Sequence, residues 1–198
     1  MIIRLSIFAL LASRLIFSQD CEPGYTEINS LCFHEGDIEV LQKFIDNSMN
    51  SGAGDDCYEG DPYCGSPNPY MDQSDAWFWT FIDGEEHQFS NDNGIVEPLE
   101  LGLQEWTNGR LTSIMCGAYI YCNLSGELPN SISNLTEIEV LRLEVNYFTG
   151  YIPESICEFQ NLDYSDYLSF DLSYNQLCPP YPSCVENHVG EQETSDCP

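Results

Sequence analysis

Three groups of residues in this sequence have types and spacing that could carry chemistry: a loop rich in Asn, Asp and Glu, ten cysteines and three histidines. Within Asn91-Asp92-Asn93-Gly94-Ile95-Val96-Glu97-Pro98-Leu99-Glu100, Gly94 can be set at the sixth position of an EF-hand-like calcium loop. Asn91 and Asn93 then fall at the third and fifth positions, apolar Val96 at the eighth and Glu100 at the twelfth. The first position, where a carboxylate is needed, is Phe89. A weak calcium site on Asn91, Asn93 and Glu100 therefore stands beside a second reading, a turn leading into a helix with Glu97 in its first turn. Calcium at the millimolar level found outside cells would fill even a weak site. His34, His87 and His188 are scattered, and no serine or cysteine elbow accompanies them. There is no Cys-x-x-Cys pair to hold zinc. Nothing selects a nucleophile or a paired-carboxylate site, so the expectation is no enzyme, no catalytic residue and no cofactor beyond that weak calcium.

The charge balance narrows the partners. Thirty-three acidic residues face five basic ones, a formal net charge of −28, which excludes nucleic acid or an anionic membrane as the main partner. Hydrophobic residues at 42% and aromatics at 13% supply a core, which argues against a disordered acidic tail. The acids read either as a solubility device in a salty medium or as divalent-cation ligands. Ten cysteines in so short a chain point to an oxidising compartment. Residues 1–18 have one early arginine, an apolar run from Leu5 to Leu11 and a small residue, Ser18, before Gln19. That is the pattern of a secretory signal peptide, too short to span a membrane, so the protein is expected to be secreted with no membrane span. Its removal would leave Lys43, Arg110 and Arg142 as the lysines and arginines of the mature chain.

Several elements must position these groups. Ile38, Leu41, Phe44 and Ile45 have helical spacing, with Asp37 near the start and Ser51-Gly52-Ala53-Gly54 as a stop. Residues 55–75 read as a loop holding Cys57 and Cys64. Trp77-Phe78-Trp79-Thr80-Phe81 is either a core plug or an exposed sugar-stacking platform. Glu97-Pro98 opens a second predicted helix, with Leu99, Leu103 and Trp106 on one face and Asn108-Gly109 at its end. Sequence proximity favours the bridges Cys21–Cys32, Cys57–Cys64, Cys116–Cys122 and Cys184–Cys197, leaving Cys157 for Cys178, although spacing does not fix connectivity.

Beyond residue 110 a repeat emerges. Leu135, Ile138, Leu141, Leu143, Asn146, Phe148, Gly150, Ile152 and Pro153 answer Leu111, Ile114, Gly117, Tyr119, Cys122, Leu124, Gly126, Leu128 and Pro129, 24 residues earlier. Phe170, Leu172, Asn175 and Leu177 repeat the strand and the asparagine, now 29 residues on. Each asparagine is expected to turn inward and satisfy backbone groups of the neighbouring turn. Leu-Ser-Gly-Glu-Leu-Pro (124–129) and Phe-Thr-Gly-Tyr-Ile-Pro (148–153) make the segment resemble plant-type extracellular leucine-rich repeats, as a short disulfide-capped member. Trp106 to Cys116 resembles that subclass's N-terminal cap. The departures are Gly117 at a leucine position, Cys122 at an asparagine position and the stretched third repeat.

The repeat and the resemblance together imply an α/β repeat solenoid, a short leucine-rich repeat horseshoe of about three coils over residues 111–177. A cysteine-containing cap with two helices would cover 19–110 at the front, and a cysteine-rich cap 178–198 at the rear. Residues flanking the strand leucines would project onto a concave face: Ala118, Ile120 and Tyr121, then Arg142, Glu144 and Val145, then Asp171, Ser173 and Tyr174. Function is then expected as a monomeric module binding a protein or glycan there. The alternative is a structural, surface-associated acidic protein with weak calcium binding at 89–100.

Overall fold

The computed structural model describes residues 21–51, 66–75, 78–117 and 119–198. The leader expected at 1–18, the Cys57–Cys64 bridge, Trp77 and Ala118 lie outside them. Strand β1 (Tyr25–Ile28) turns through Asn29 and Ser30, both left-handed at φ 53° and 67°, into β2 (Leu31–His34). Two left-handed residues in succession match the twist of a tight hairpin, and short polar side chains tolerate them. Cys21–Cys32 closes it, as sequence proximity indicated. Helix α1 (Glu35–Ser51) follows, with Glu35 and Asp37 in its first turn, where carboxylates favour the macrodipole. Its buried face is Asp37, Val40, Leu41, Phe44, Ile45 and Ser48, so the helix read from the apolar spacing is present, starting two residues before Asp37 and reaching Ser51, where the expected stop begins.

Next come β3 (Thr80–Ile82), β4 (Glu85–His87), β5 (Leu103–Thr107) and β6 (Arg110–Met115). The second predicted helix is not there. Pro98–Glu100 is a single 3-10 turn, and Leu103–Thr107 is a strand whose Gln104 and Trp106 are buried while Glu105 and Thr107 are exposed. Leu99, Leu103 and Trp106 satisfied a helical period, but the alternation from 103 onward is that of a strand. Asn108 and Gly109, read as a helix stop, are the two left-handed residues (φ 51° and 73°) of the β5–β6 hairpin. Gly109 is also required by space, because a Cβ there would collide with the backbone carbonyl of Cys32.

The remaining strands are β7 (Ser125–Glu127), β8 (Val140–Arg142), β9 (Tyr147–Tyr151), β10 (Phe170–Asp171) and β11 (Gln176–Cys178). Among the described residues three sheets result: the β1–β2 pair, a six-stranded mixed sheet ordered β10-β8-β6-β5-β3-β4, and a three-stranded parallel sheet ordered β11-β9-β7. This overturns the expected α/β solenoid with its short leucine-rich repeat horseshoe of three coils. Residues 110–115, 140–142 and 170–171 are one end of a sheet that continues antiparallel through β5 and on to β3 and β4. The single α-helix of the described residues lies at 35–51, outside the repeat. The repeat period fixes the local step between turns. The global architecture is set by the Asn108-Gly109 hairpin, which carries the sheet back into the front segment.

The inward asparagines are nonetheless as read. Ile114, Leu141 and Phe170 stand in register across β6, β8 and β10, and all three are buried. The Asn146 amide donates to the Cys116 and Leu143 carbonyls (2.6 and 3.1 Å) and accepts from the Leu124 N–H (2.9 Å). Asn175 donates to the Leu143 and Leu172 carbonyls (2.9 and 3.0 Å) and accepts from the Phe148 N–H (3.0 Å). These amides satisfy backbone groups that strands of two or three residues leave over.

Of the expected bridges, Cys116–Cys122 forms, whereas Cys184–Cys197 and Cys157–Cys178 do not. The pairs are Cys157–Cys184 and Cys178–Cys197. Cys184 is thus tied to the 3-10 turn Glu154–Glu158 rather than to the C-terminus, a partnership over 27 residues that sequence proximity does not indicate.

Candidate binding face

The outward side of β6, β8 and β10 is built in rows. Register places Met115, Arg142 and Asp171 side by side, one step on from the buried Ile114, Leu141 and Phe170. Arg142 donates to the Glu144 carboxylate, which is itself buried. The expected face is thus partly self-neutralised by its own ion pair. Gly117 is explained by this pair: any Cβ at 117 would run into the Glu144 carboxylate.

The first turn of the face is shifted from expectation. The repeat frame set 117 and 119 opposite Leu141 and Leu143, yet the partner of Leu141 is Ile114, three residues earlier. The Ile120 and Tyr121 N–H groups instead close on the Gly117 carbonyl (2.9 and 3.0 Å), within the span of the Cys116–Cys122 bridge. Ile120 is therefore buried and does not belong to the face, while Met115 does. Glu144 is withdrawn by burial. Arg142, Asp171 and Ser173 are half-buried, and Asp171 accepts from the Ser173 N–H (2.9 Å).

Tyr121, Val145 and Tyr174 remain on the surface, 58%, 40% and 59% exposed. Each directly precedes the inward residue of its turn (Cys122, Asn146, Asn175), and each is left-handed, at φ 53°, 56° and 56°. Left-handed backbone is uncommon for a bulky side chain and a genuine outlier for β-branched valine. Each such residue costs on the order of 1–3 kcal/mol, and strain of this kind concentrates at ligand-binding positions. The backbone of these residues is used inside the chain, with Tyr121 N–H on the Gly117 carbonyl, Val145 N–H on the Ser173 carbonyl and Tyr174 N–H on the Glu191 carbonyl (3.0, 2.9 and 2.6 Å), whereas their side chains are left largely in water. Beside Tyr174 a shallow cavity of about 360 Å³ is lined by Tyr147, Glu191 and Glu193 as well as by the two ladder asparagines. Sequence reasoning missed Tyr147, Glu191 and Glu193, because the rear segment was assigned only a covering role. The bridge from Asn175 to Gln192 is what folds that segment onto the face.

The acidic loop is used differently from a calcium loop. Phe89 packs edge-on against Phe33 in the core (6.0 Å). Asn91 donates to Glu97 and Glu100 (2.9 and 3.1 Å), while the Asn93 side-chain oxygen is turned onto the Ile95 N–H (2.8 Å). Asn91, Asn93 and Glu100 thus do not converge as ligands. The Asn93 and Gly94 N–H groups bind the buried carboxylate of Asp72 (3.3 and 2.6 Å), which takes the central place. Among the described residues no group of three or more His, Cys, Asp and Glu could hold a metal ion.

Burial raises the Glu100 carboxyl to about 7, with the neighbouring Asp72 and Glu97 charges adding to the rise and the Glu97 N–H opposing it. The folded chain therefore keeps this proton after the unfolded chain has lost it. The contribution of Glu100 to stability should be greatest below the ordinary glutamate range and should fall as pH rises from about 4.5 to 7, by on the order of 2 kcal/mol. Glu100→Gln, which retains an oxygen for the Glu97 N–H, should remove that fall. Melts of both proteins from pH 4 to 8 check this; a difference between them that stays constant with pH would refute it.

No family model matches the sequence. Phytosulfokine receptor 1 of Arabidopsis thaliana is 31% identical over 167 residues, which take in 81% of this chain and 12% of that protein. The chain thus spans about an eighth of the length of the curated relative it matches. This supports a relationship to plant leucine-rich repeat receptors at a coarse level. Four disulfides among the described residues fit an extracellular location. No helix among the described residues is long and apolar enough to cross a membrane.

Proposed function

We propose that this chain is a secreted, disulfide-braced binding module of the plant extracellular leucine-rich repeat kind. It captures a protein partner on the face carrying Tyr121, Val145 and Tyr174 and acts by binding rather than by catalysis. The observation that carries this reading is the recurrence of exposed, left-handed, bulky residues at one position of three successive turns. The backbone of these turns serves internal hydrogen bonds, but the bulky side chains set out in register and left exposed are accounted for by an external contact. Rigid tyrosines are also suited to the centre of an interface, because they bring large contact area with few torsions to fix.

The relative's name describes a receptor, and recognition of a protein or peptide is the property we carry over. The test is a surface-binding screen of the oxidised chain from Gln19 onward against purified secreted proteins, repeated with Tyr121→Ala/Tyr174→Ala. A partner captured through this face should lose roughly 30-fold or more in affinity with the double variant, about 2 kcal/mol from two interface tyrosines. Capture that is unchanged in the double variant would place binding elsewhere and overturn the proposal.

A further inference from the structure

We infer that the partner presents a basic segment to this face, with an arginine or lysine side chain entering the cavity between Tyr147, Tyr174, Glu191 and Glu193. This deepens the binding reading above and rests on it. The first support is charge complementarity. The chain carries a net charge of −28, and of its five lysines and arginines Arg110 and Arg142 are already paired with Asp37 and Glu144. Among the described residues no ion pair reaches Glu191 or Glu193, and both are exposed. Glu193 is held below the ordinary glutamate range by hydrogen bonds from Ser195, so it stays anionic under mildly acidic conditions.

The second support is shape and surface chemistry. The cavity, about 360 Å³, exceeds the volume of one guanidinium and its stem, and two tyrosines line it together with the two glutamates. An aromatic face next to carboxylates suits a cation whose stem is apolar: the ring quadrupole attracts the charge while the methylenes cover the ring. A planar guanidinium adds paired hydrogen bonds to a carboxylate that an ammonium cannot match. The Tyr174 ring is presented by a left-handed residue whose N–H is fixed on the Glu191 carbonyl (2.6 Å), so the tyrosine and the acidic segment are held as one unit. An acidic or neutral partner would leave these carboxylates desolvated and unpaired, which costs more than it gains.

The probe is the peptide acetyl-Ala-Arg-Leu-Arg-Ala-amide, with citrulline in place of both arginines as a neutral isostere. It is titrated into the oxidised chain labelled at tyrosine ring carbons and followed by NMR. The arginine peptide should shift the Tyr147 and Tyr174 rings saturably, and the citrulline peptide should not. Diffuse attraction to so acidic a protein is controlled by removing the same charge at two sites. Glu191→Gln/Glu193→Gln should weaken binding about fivefold or more, whereas Glu85→Gln/Glu86→Gln on strand β4 should weaken it less than about twofold. Equal losses from the two pairs, or rings that do not move, would overturn the inference. If the rings stay still while a secreted protein is captured in a tyrosine-dependent way, the binding reading survives and the basic partner falls. If the rings respond but no captured protein depends on Tyr121 and Tyr174, the binding reading fails although the cavity binds cations.

Discussion

Arg110→Ala should lower stability by about 3–5 kcal/mol and the melting temperature by roughly 10 °C. Asp37 is fully buried in the first turn of α1, and Arg110 opens β6. The guanidinium grips the carboxylate with two hydrogen bonds, Nε to Oδ2 at 2.8 Å and Nη2 to Oδ1 at 2.9 Å. It also reaches the Asn134 carbonyl (3.1 Å) and the Thr136 hydroxyl (3.0 Å), so one side chain ties the helix, the mixed sheet and the following turn together. Without it, Asp37 keeps the Leu111 N–H (2.9 Å) and a long contact to His34 (3.4 Å), too little for a buried charge. Arg110→Lys should recover only part of the loss, since an ammonium cannot reproduce the paired geometry. Adding Asp37→Asn to Arg110→Ala should restore some stability by removing the orphaned charge. Urea unfolding of the three variants under oxidising conditions measures this. A loss below about 1 kcal/mol for Arg110→Ala would mean that the pair behaves as a surface salt bridge.

That network shows where a linear reading ends. Asp37 was legible as a helix-start residue and Arg110 as one of few cations, but their partnership spans 73 residues and leaves no local pattern. The ladder asparagines were legible, because Asn146 and Asn175 follow strand leucines at a fixed offset and the backbone needs of a short strand dictate their role. The strand register of the first turn was not. Gly117 and Tyr119 matched the repeat by count, but Cys116 and Cys122 close a loop that consumes three residues, and the count carried on as if they were strand. The same limit explains the architecture. A period describes how a turn meets its neighbour and says nothing of how the terminal strand is covered, which here is done by β5 in antiparallel pairing.

The binding face was partly legible for a related reason. Tyr121 and Tyr174 were expected to face outward because they flank the strand positions of the repeat frame, and both are exposed. Ile120 was misplaced by the shifted loop, and Glu144 was placed correctly along the strand but drawn under by Arg142. The acids beside Tyr174 arrive from the C-terminal segment, and no periodicity links 174 to 191 and 193. A chain that returns to cover its own edge brings in residues whose sequence context concerns bridges and turns only.

Trp106→Ala should be at least as damaging, by about 3–5 kcal/mol for the lost side chain, with about 1–3 kcal/mol more for the polar group it leaves unpaired. Trp106 is 1% exposed, and its ring meets Phe33 edge-on at 4.9 Å, joining β5 to the first hairpin. Its indole N–H donates to the side-chain oxygen of fully buried Gln104 (2.9 Å). The Gln104 amide in turn donates to the Pro98 and Leu101 carbonyls (2.7 and 2.8 Å). Gln104 therefore pins the 3-10 turn beside the acidic loop to the strand, and Trp106 fixes the orientation of Gln104. Trp106→Phe keeps one aromatic ring but loses the N–H and three ring atoms, so its cost sets an upper bound on what the N–H contributes. It should cost about 1–3 kcal/mol, less than Trp106→Ala, and it should also weaken the pH response of Glu100, whose turn Gln104 holds. Urea titrations at pH 5 and pH 8 measure both effects. If Trp106→Phe were as stable as the parent, packing alone would hold this corner, and the hydrogen-bonded chain from Trp106 to Pro98 would carry no net stability.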